Sequence, residues 1–241
     1  MDTSAQSLTS GVPPKSHVNP LLRLWGSSFA VAGLLYGFFL AYAAGLTGSI
    51  SQLSLTMAFA GTGAILIGTS FALSGICYFF NFADRHIGYR KYLGLLGYYS
   101  ALAYALLLIP LEPERYWSGW PQTVLQPDVQ LGLTAMAILT LMALVSNTKA
   151  MQLLGPERWR EILRLGYVAY FLLVIRATYL DFELWTAWFA QPVTLPPFRL
   201  TLSVFAILVI LLRIAVSIHK RFSLKGNRPH LTKLSTATEP A

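Results

Sequence analysis

The chain has 241 residues, enough for one or two water-soluble domains, yet 55% are hydrophobic, only 12% are charged and the mean hydropathy is +0.54. A soluble domain carries about 25% charged residues, so a soluble enzyme is excluded on composition. The single cysteine, Cys77, excludes an intrachain disulfide, a cysteine-based zinc site and a cysteine-ligated iron–sulfur cluster.

Residues 1–22 are polar and lack the apolar core of a secretory signal, so no cleaved leader is expected. The first apolar run, 24–44, is too long for such a core and predicts a retained span. A second span is predicted at 55–80, with Gly61, Gly63, Gly68 and Gly75 spaced through it, a third at 92–110 and a fourth at 129–145. The fifth, 163–180, contains Arg176, and the sixth, 200–218, contains Arg213. Each approximates the roughly 20 residues a helix needs to cross a ~30 Å hydrocarbon core. Backbone polar groups find no water there, so each run must be helical. The fold class expected is an all-α integral membrane protein, a six-helix domain over 23–221 followed by a polar tail at 222–241. No flavin or nicotinamide domain is expected after the sixth span.

The net charge of +8 has a topological reading. Fourteen of the 18 basic residues fall before the first span, in the 2–3 and 4–5 connections, after the sixth or, for Arg164, at the membrane edge of the fifth. The other connections hold only Arg115 and Arg199, beside Glu112, Glu114, Asp128, Asp181 and Glu183. Cytoplasmic loops carry the Lys/Arg excess, so both termini are expected in the cytoplasm, in keeping with a bacterial inner membrane. The cations then record topology, and nucleic acid is not a partner. Tyr116, Trp117, Trp120, Tyr179, Trp185 and Trp188 on one side, with Trp25 and Trp159 on the other, fit interfacial belts.

Polar groups inside spans are functional candidates. The histidines, His17, His86, His219 and His230, all stand outside the middle of any span. Arg176 has an ordinary reading, snorkelling outward or pairing with Asp181 or Glu183, and a sharper one, contact with an anion or quinone headgroup inside the bundle. Arg213 reads as a snorkelling cation near the inner boundary. The glycines of the second span, with Ser70 and Ser74, predict close helix packing or a groove for a cofactor. Cys77 reads as an apolar filler. No nucleophile–base pair, metal-ligand spacing or phosphate-binding loop is present, so no catalytic constellation is expected.

Two stretches carry a family likeness. Arg90-Lys91-Tyr92-Leu93-Gly94-Leu95 opens the third span, and Ser146-Asn147-Thr148-Lys149-Ala150-Met151, followed by Gly155, Trp159 and Tyr167, links the fourth span to the fifth. In this order and spacing they resemble the ferric-reductase-like transmembrane domain. The likeness is to its bacterial branch, the haem-binding membrane subunit of the periplasmic methionine sulfoxide reductase system, and covers residues 56–179. The resemblance implies six helices, haem b held by histidines and electron transfer across the membrane. Counting from the motifs, the family's ligand positions fall at Tyr104, Leu163 and Arg176. Leucine has no lone pair to give iron, and arginine stays protonated. A lone Tyr104 phenolate is costly in an apolar span.

Three functions follow as expectations. The first is a haem-less paralogue that keeps the scaffold for the lipid bilayer, a membrane or extracytoplasmic redox partner, or a quinone-like ligand. The second is an electron-transfer oxidoreductase subunit with unorthodox haem b ligation through Tyr104. The third is a small transporter, motivated by Arg176 and the glycine-rich second span.

Overall fold

With no water inside a bilayer, the backbone of each apolar run has to satisfy its N–H and C=O groups internally. The computed structural model describes residues 20–80, 86, 88–192 and 195–226 and is helical through every predicted span. In order come α1 (Pro20–Thr47), α2 (Gln52–Phe79), α3 (Tyr89–Leu111), a π-helical turn (Glu114–Ser118), the one-turn α4 (Trp120–Thr123), α5 (Pro127–Val145), the short α6 (Thr148–Leu154), α7 (Pro156–Ala190) and α8 (Phe198–Gly226). No strand occurs among the described residues. Six helices, α1, α2, α3, α5, α7 and α8, are long and apolar enough to cross a membrane. The architecture is the expected all-α six-helix one. Of the polar ends, residues 1–19 and 227–241 lie outside the described residues.

The side-chain distribution is that of a bundle solvated by lipid. Leu34 on α1 is 76% exposed and Phe38 is 61% exposed, whereas Thr56, Thr62 and Ser70 of α2 are buried. These three hydroxyls bond within the bundle, Thr56 to the Gln52 carbonyl at 2.9 Å, Thr62 to the Ala58 carbonyl at 2.8 Å and Ser70 to the Arg90 carbonyl at 2.7 Å, whereas the buried Ser28 and Ser74 hydroxyls have no partner among the described residues. An even number of crossings brings the start of α1 and the end of α8 to one end of the bundle, here termed the terminal end. Trp25 packs edge-on against Tyr92 there, ring centroids 4.9 Å apart, and Tyr78 Oη lies 3.1 Å from His219 Nδ1. At the opposite, distal end Tyr42 donates to the Pro196 carbonyl at 2.7 Å, joining α1 to the approach to α8.

Helix α2 runs through the centre. Its N-terminus is closed by a capping box between Ser51 and Ser54, which satisfies two of the donors a helix start leaves free. Its small residues permit close packing, the first of the two readings of that stripe. A methyl added at Gly63 would stand 3.0 Å from both the Gly97 carbonyl oxygen and the Ala101 nitrogen, and one at Gly97 would stand 2.8 Å from the Ile67 nitrogen. The two glycines thus set the backbone separation of α2 and α3. On its other faces α2 meets a core of Ala135 and Leu139 from α5, Ala169 and Tyr170 from α7, and Ala206 and Val209 from α8, around Ile67 and Phe71.

Helix α7 is longer than the expected 163–180. Pro156, with its fixed φ and no N–H to satisfy, starts it a full two turns earlier. Beyond the predicted end, the backbone of Asp181 (φ −122°, ψ 15°) bends the helix without ending it. The Asp181 carboxylate there meets Arg199 of α8 at 2.5 Å.

Candidate functional site

A cavity opens toward each end of the bundle among the described residues, and several of the residues singled out in the sequence line one or the other.

The terminal-end cavity has a volume of about 370 Å³. Arg90, Lys91 and Gly94 from the start of α3 line it, with Ser146, Asn147, Met151 and Trp159 from the connection after α5, and Leu163 from α7. The two motif stretches, far apart in sequence, therefore meet around one space. Local chemistry explains the second stretch. Asn147 accepts from the Ala150 N–H at 2.7 Å, capping α6, and donates to the Leu144 carbonyl at 2.9 Å. Gly155 (φ 77°, ψ 157°) adopts a backbone region open essentially to glycine alone, which allows α6 to stop and α7 to start at once. Trp159 donates from Nε1 to the Val145 carbonyl at 2.9 Å, tying the first turn of α7 to the end of α5. Gly94 packs on Ser70, where an added methyl would come within 3.0 Å of Oγ. Gly155 and Tyr167 stand outside the cavity wall. The Tyr167 ring packs tilted against Phe71, centroids 4.8 Å apart, with the Arg213 guanidinium 5.5 Å from the Tyr167 centroid.

Trp159→Phe keeps an aromatic ring but removes the indole N–H, and with it this hydrogen bond and some packing volume. It is expected to cost about 1 kcal/mol, seen as a fall of a few degrees in the unfolding midpoint of the detergent-solubilised protein.

The distal cavity has a volume of about 390 Å³ and holds Tyr104 of α3 and Arg176 of α7 in its wall. Arg176 does not pair with Asp181 or Glu183, one of the possibilities its sequence position offered. Its Nε donates instead to the backbone carbonyl of Asp128 at 2.8 Å, and Asp181 is taken by Arg199. Asp128, whose side chain is only 5% exposed, is bound by Arg115 at 2.8 Å; Arg115 also reaches Gln126 at 2.9 Å and Glu112 at 3.5 Å. Burial opposes the Arg115 charge, but Tyr116, Asp128 and Glu112 hold its pKa above the ordinary arginine value. Burial also pushes the Tyr116 phenol above its ordinary pKa, against the pull of Arg115.

Sequence reasoning missed several lining residues here. Tyr116 and Trp120 read only as interfacial aromatics, and Arg199 only as an outer-loop cation, yet all three line the cavity. Gly132 lies four residues after Asp128, hence on the same face of α5, and a methyl on it would stand 3.1 Å from Arg176 Nε. That spacing was the available signal.

Donor chemistry decides whether these cavities fit the haem that the family likeness implies. The histidines among the described residues are His86 and His219. His86 stacks near Tyr89 and His219 bonds Tyr78, and neither lines a cavity. The sulfurs that do line them are thioethers, Met57 and Met136 in the distal cavity and Met142 and Met151 in the terminal one. A thioether typically holds haem iron opposite a histidine. Tyr104, Leu163 and Arg176 stand where the likeness would put the ligands, none is a histidine, and the residues lining the cavities do not fit the group. His17 and His230 lie outside the described residues. Compared with models of known protein families and with curated proteins, the chain matches none.

Proposed function

We infer that this multi-pass membrane protein is a haem-less relative of the ferric-reductase-like transmembrane family. It keeps the six-helix scaffold to bind a membrane or extracytoplasmic partner, a lipid or a quinone-like molecule, and carries electrons only through a partner's cofactor. The terminal end, with its excess of Lys and Arg, faces the cytoplasm of a bacterial inner membrane. The observation that carries this reading is the placement of the three ligand positions. Tyr104 and Arg176 face the distal cavity and Leu163 the terminal one, so the spaces are kept while the donors are changed.

The oxidised and dithionite-reduced absorption spectra of the purified protein test it. The expected result is no Soret band and iron far below one per chain. Near-stoichiometric haem would overturn the reading. One observation favours the alternative, a haem oxidoreductase ligated by tyrosine: Tyr104 lines the cavity and makes no hydrogen bond to another described side chain. On that alternative Tyr104→Phe bleaches or shifts the spectrum; on ours both proteins are colourless.

A further inference from the structure

Arg176 is half-buried in the wall of the distal cavity, and its guanidinium makes no ion pair among the described residues. Its one hydrogen bond among the described residues runs from Nε to a backbone carbonyl. No described carboxylate lies within 4.0 Å, because Asp128 is committed to Arg115 and Asp181 to Arg199. The terminal N–H groups of the guanidinium, a fork suited to phosphate or carboxylate, have no acceptor among the described residues. The phenols of Tyr104 and Tyr116 line the same cavity and add donors without partners among the described residues. A cation at this depth is costly unless an anion joins it. A neutral quinone would leave that cost standing.

Apart from Arg199, which is bonded to Asp181, and Ser203, the remainder of the lining is mostly apolar, and the cavity opens sideways. Leu106 of α3 and Leu133 of α5 both line it and are 57% and 45% exposed, so the seam between these helices faces lipid at this level. Nearer the terminal end the same seam is closed by Tyr98 and Thr140, whose hydroxyls lie 3.2 Å apart. An occupant entering from the bilayer therefore meets an apolar passage leading to an unpaired guanidinium.

We propose that the distal cavity binds an anionic membrane lipid, its phosphate held by Arg176 with Tyr104 and Tyr116, and an acyl chain lying between Leu106 and Leu133. This rests on the reading of the bundle as a binding scaffold in place of a haem carrier, and it names the ligand class.

The test uses the full-length protein, delipidated in an uncharged detergent and titrated with dioleoylphosphatidylglycerol or dioleoylphosphatidylcholine, with bound lipid counted by native mass spectrometry. The expected result is a preference of about tenfold for the anionic lipid. Arg176→Gln abolishes that preference, Arg176→Lys keeps part of it, and Arg158→Gln, an exposed cation at the terminal end, leaves it intact. Leu133→Trp, on a lipid-facing position that leaves every charge in place, blocks the passage and lowers retention of both lipids. Equal retention of the two lipids by the unaltered protein, or a preference that survives Arg176→Gln, would overturn the proposal. Displacement by inorganic phosphate as effective as displacement by lipid would also overturn it, by showing that the acyl chain contributes nothing. A Soret band in the same preparation would instead strike at the scaffold reading, so the two failures are distinguishable.

Discussion

Gly63→Leu is expected to destabilise the bundle by about 3 kcal/mol, the upper end of what overpacking ordinarily costs. The reason is what the new side chain would meet. At Gly63 the nearest atoms are the Gly97 carbonyl oxygen and the Ala101 nitrogen, both backbone and both at 3.0 Å from the first added carbon. A crowded side chain can change rotamer; a crowded helix backbone can only move away, and α3 would carry Leu93 and Leu96 out of their contact with Leu66. Gly33→Ala supplies the contrast, since nothing lies within 4 Å of the position an added carbon would take. That substitution is expected to be neutral or to stabilise by about 0.5–1 kcal/mol through helix propensity. Thermal unfolding followed by circular dichroism in detergent separates the two. A Gly63→Leu protein with an unchanged midpoint would show that α2 and α3 do not touch as described.

Arg115→Ala is expected to have the second-largest effect. It strips the partner from Asp128, whose carboxylate is 5% exposed, and removes the bond to Gln126 that anchors the start of α5. Breaking a fully buried pair costs about 3–5 kcal/mol. Arg115 is itself 32% exposed, and water already screens part of the interaction, so about 2 kcal/mol is expected. Much of that is the penalty of leaving Asp128 charged and alone. Arg115→Ala combined with Asp128→Asn should therefore be more stable than Arg115→Ala by itself, an inversion of ordinary additivity that a double-mutant cycle reads directly. If the double variant is the weaker of the two, the carboxylate is not stranded and the distal ion pair is a surface contact.

Both effects show where sequence legibility stops. The six spans were readable because lipid demands long apolar helices, a requirement that acts on each run separately. The glycine stripe of α2 could be seen too, but its partner could not: nothing in the local sequence says that Gly63 faces Gly97 and not α1 or α8. Arg176 stood out as a charge within a span, and the carboxylates nearest in sequence, Asp181 and Glu183, were its natural partners. The fold gives Asp181 to Arg199, 18 positions away, and brings the Asp128 carbonyl, 48 positions away, to Arg176. Such pairings depend on how helices are rotated about their axes, and one-dimensional spacing carries no information on that.

The motif stretches divide in the same way. Asn147 as a cap, Gly155 as a stop and Trp159 as an end-of-helix anchor are local acts, legible from residue type and position. That Arg90 and Lys91 would face Ser146 and Asn147 across one cavity required α3 and α5 to be side by side.

The sequence by itself determined the six long apolar spans, because the energy of placing apolar and charged groups in a bilayer is set residue by residue. The tertiary structure alone decided which polar groups found partners inside it. Asp128 and Asp181 were both ion-paired, and Arg176 was left lining a mostly apolar cavity with the terminal N–H groups of its guanidinium unmet among the described residues. Pairing in three dimensions depends on helix rotation and close approach, and these are set by packing at small residues such as Gly63, Gly97 and Gly132.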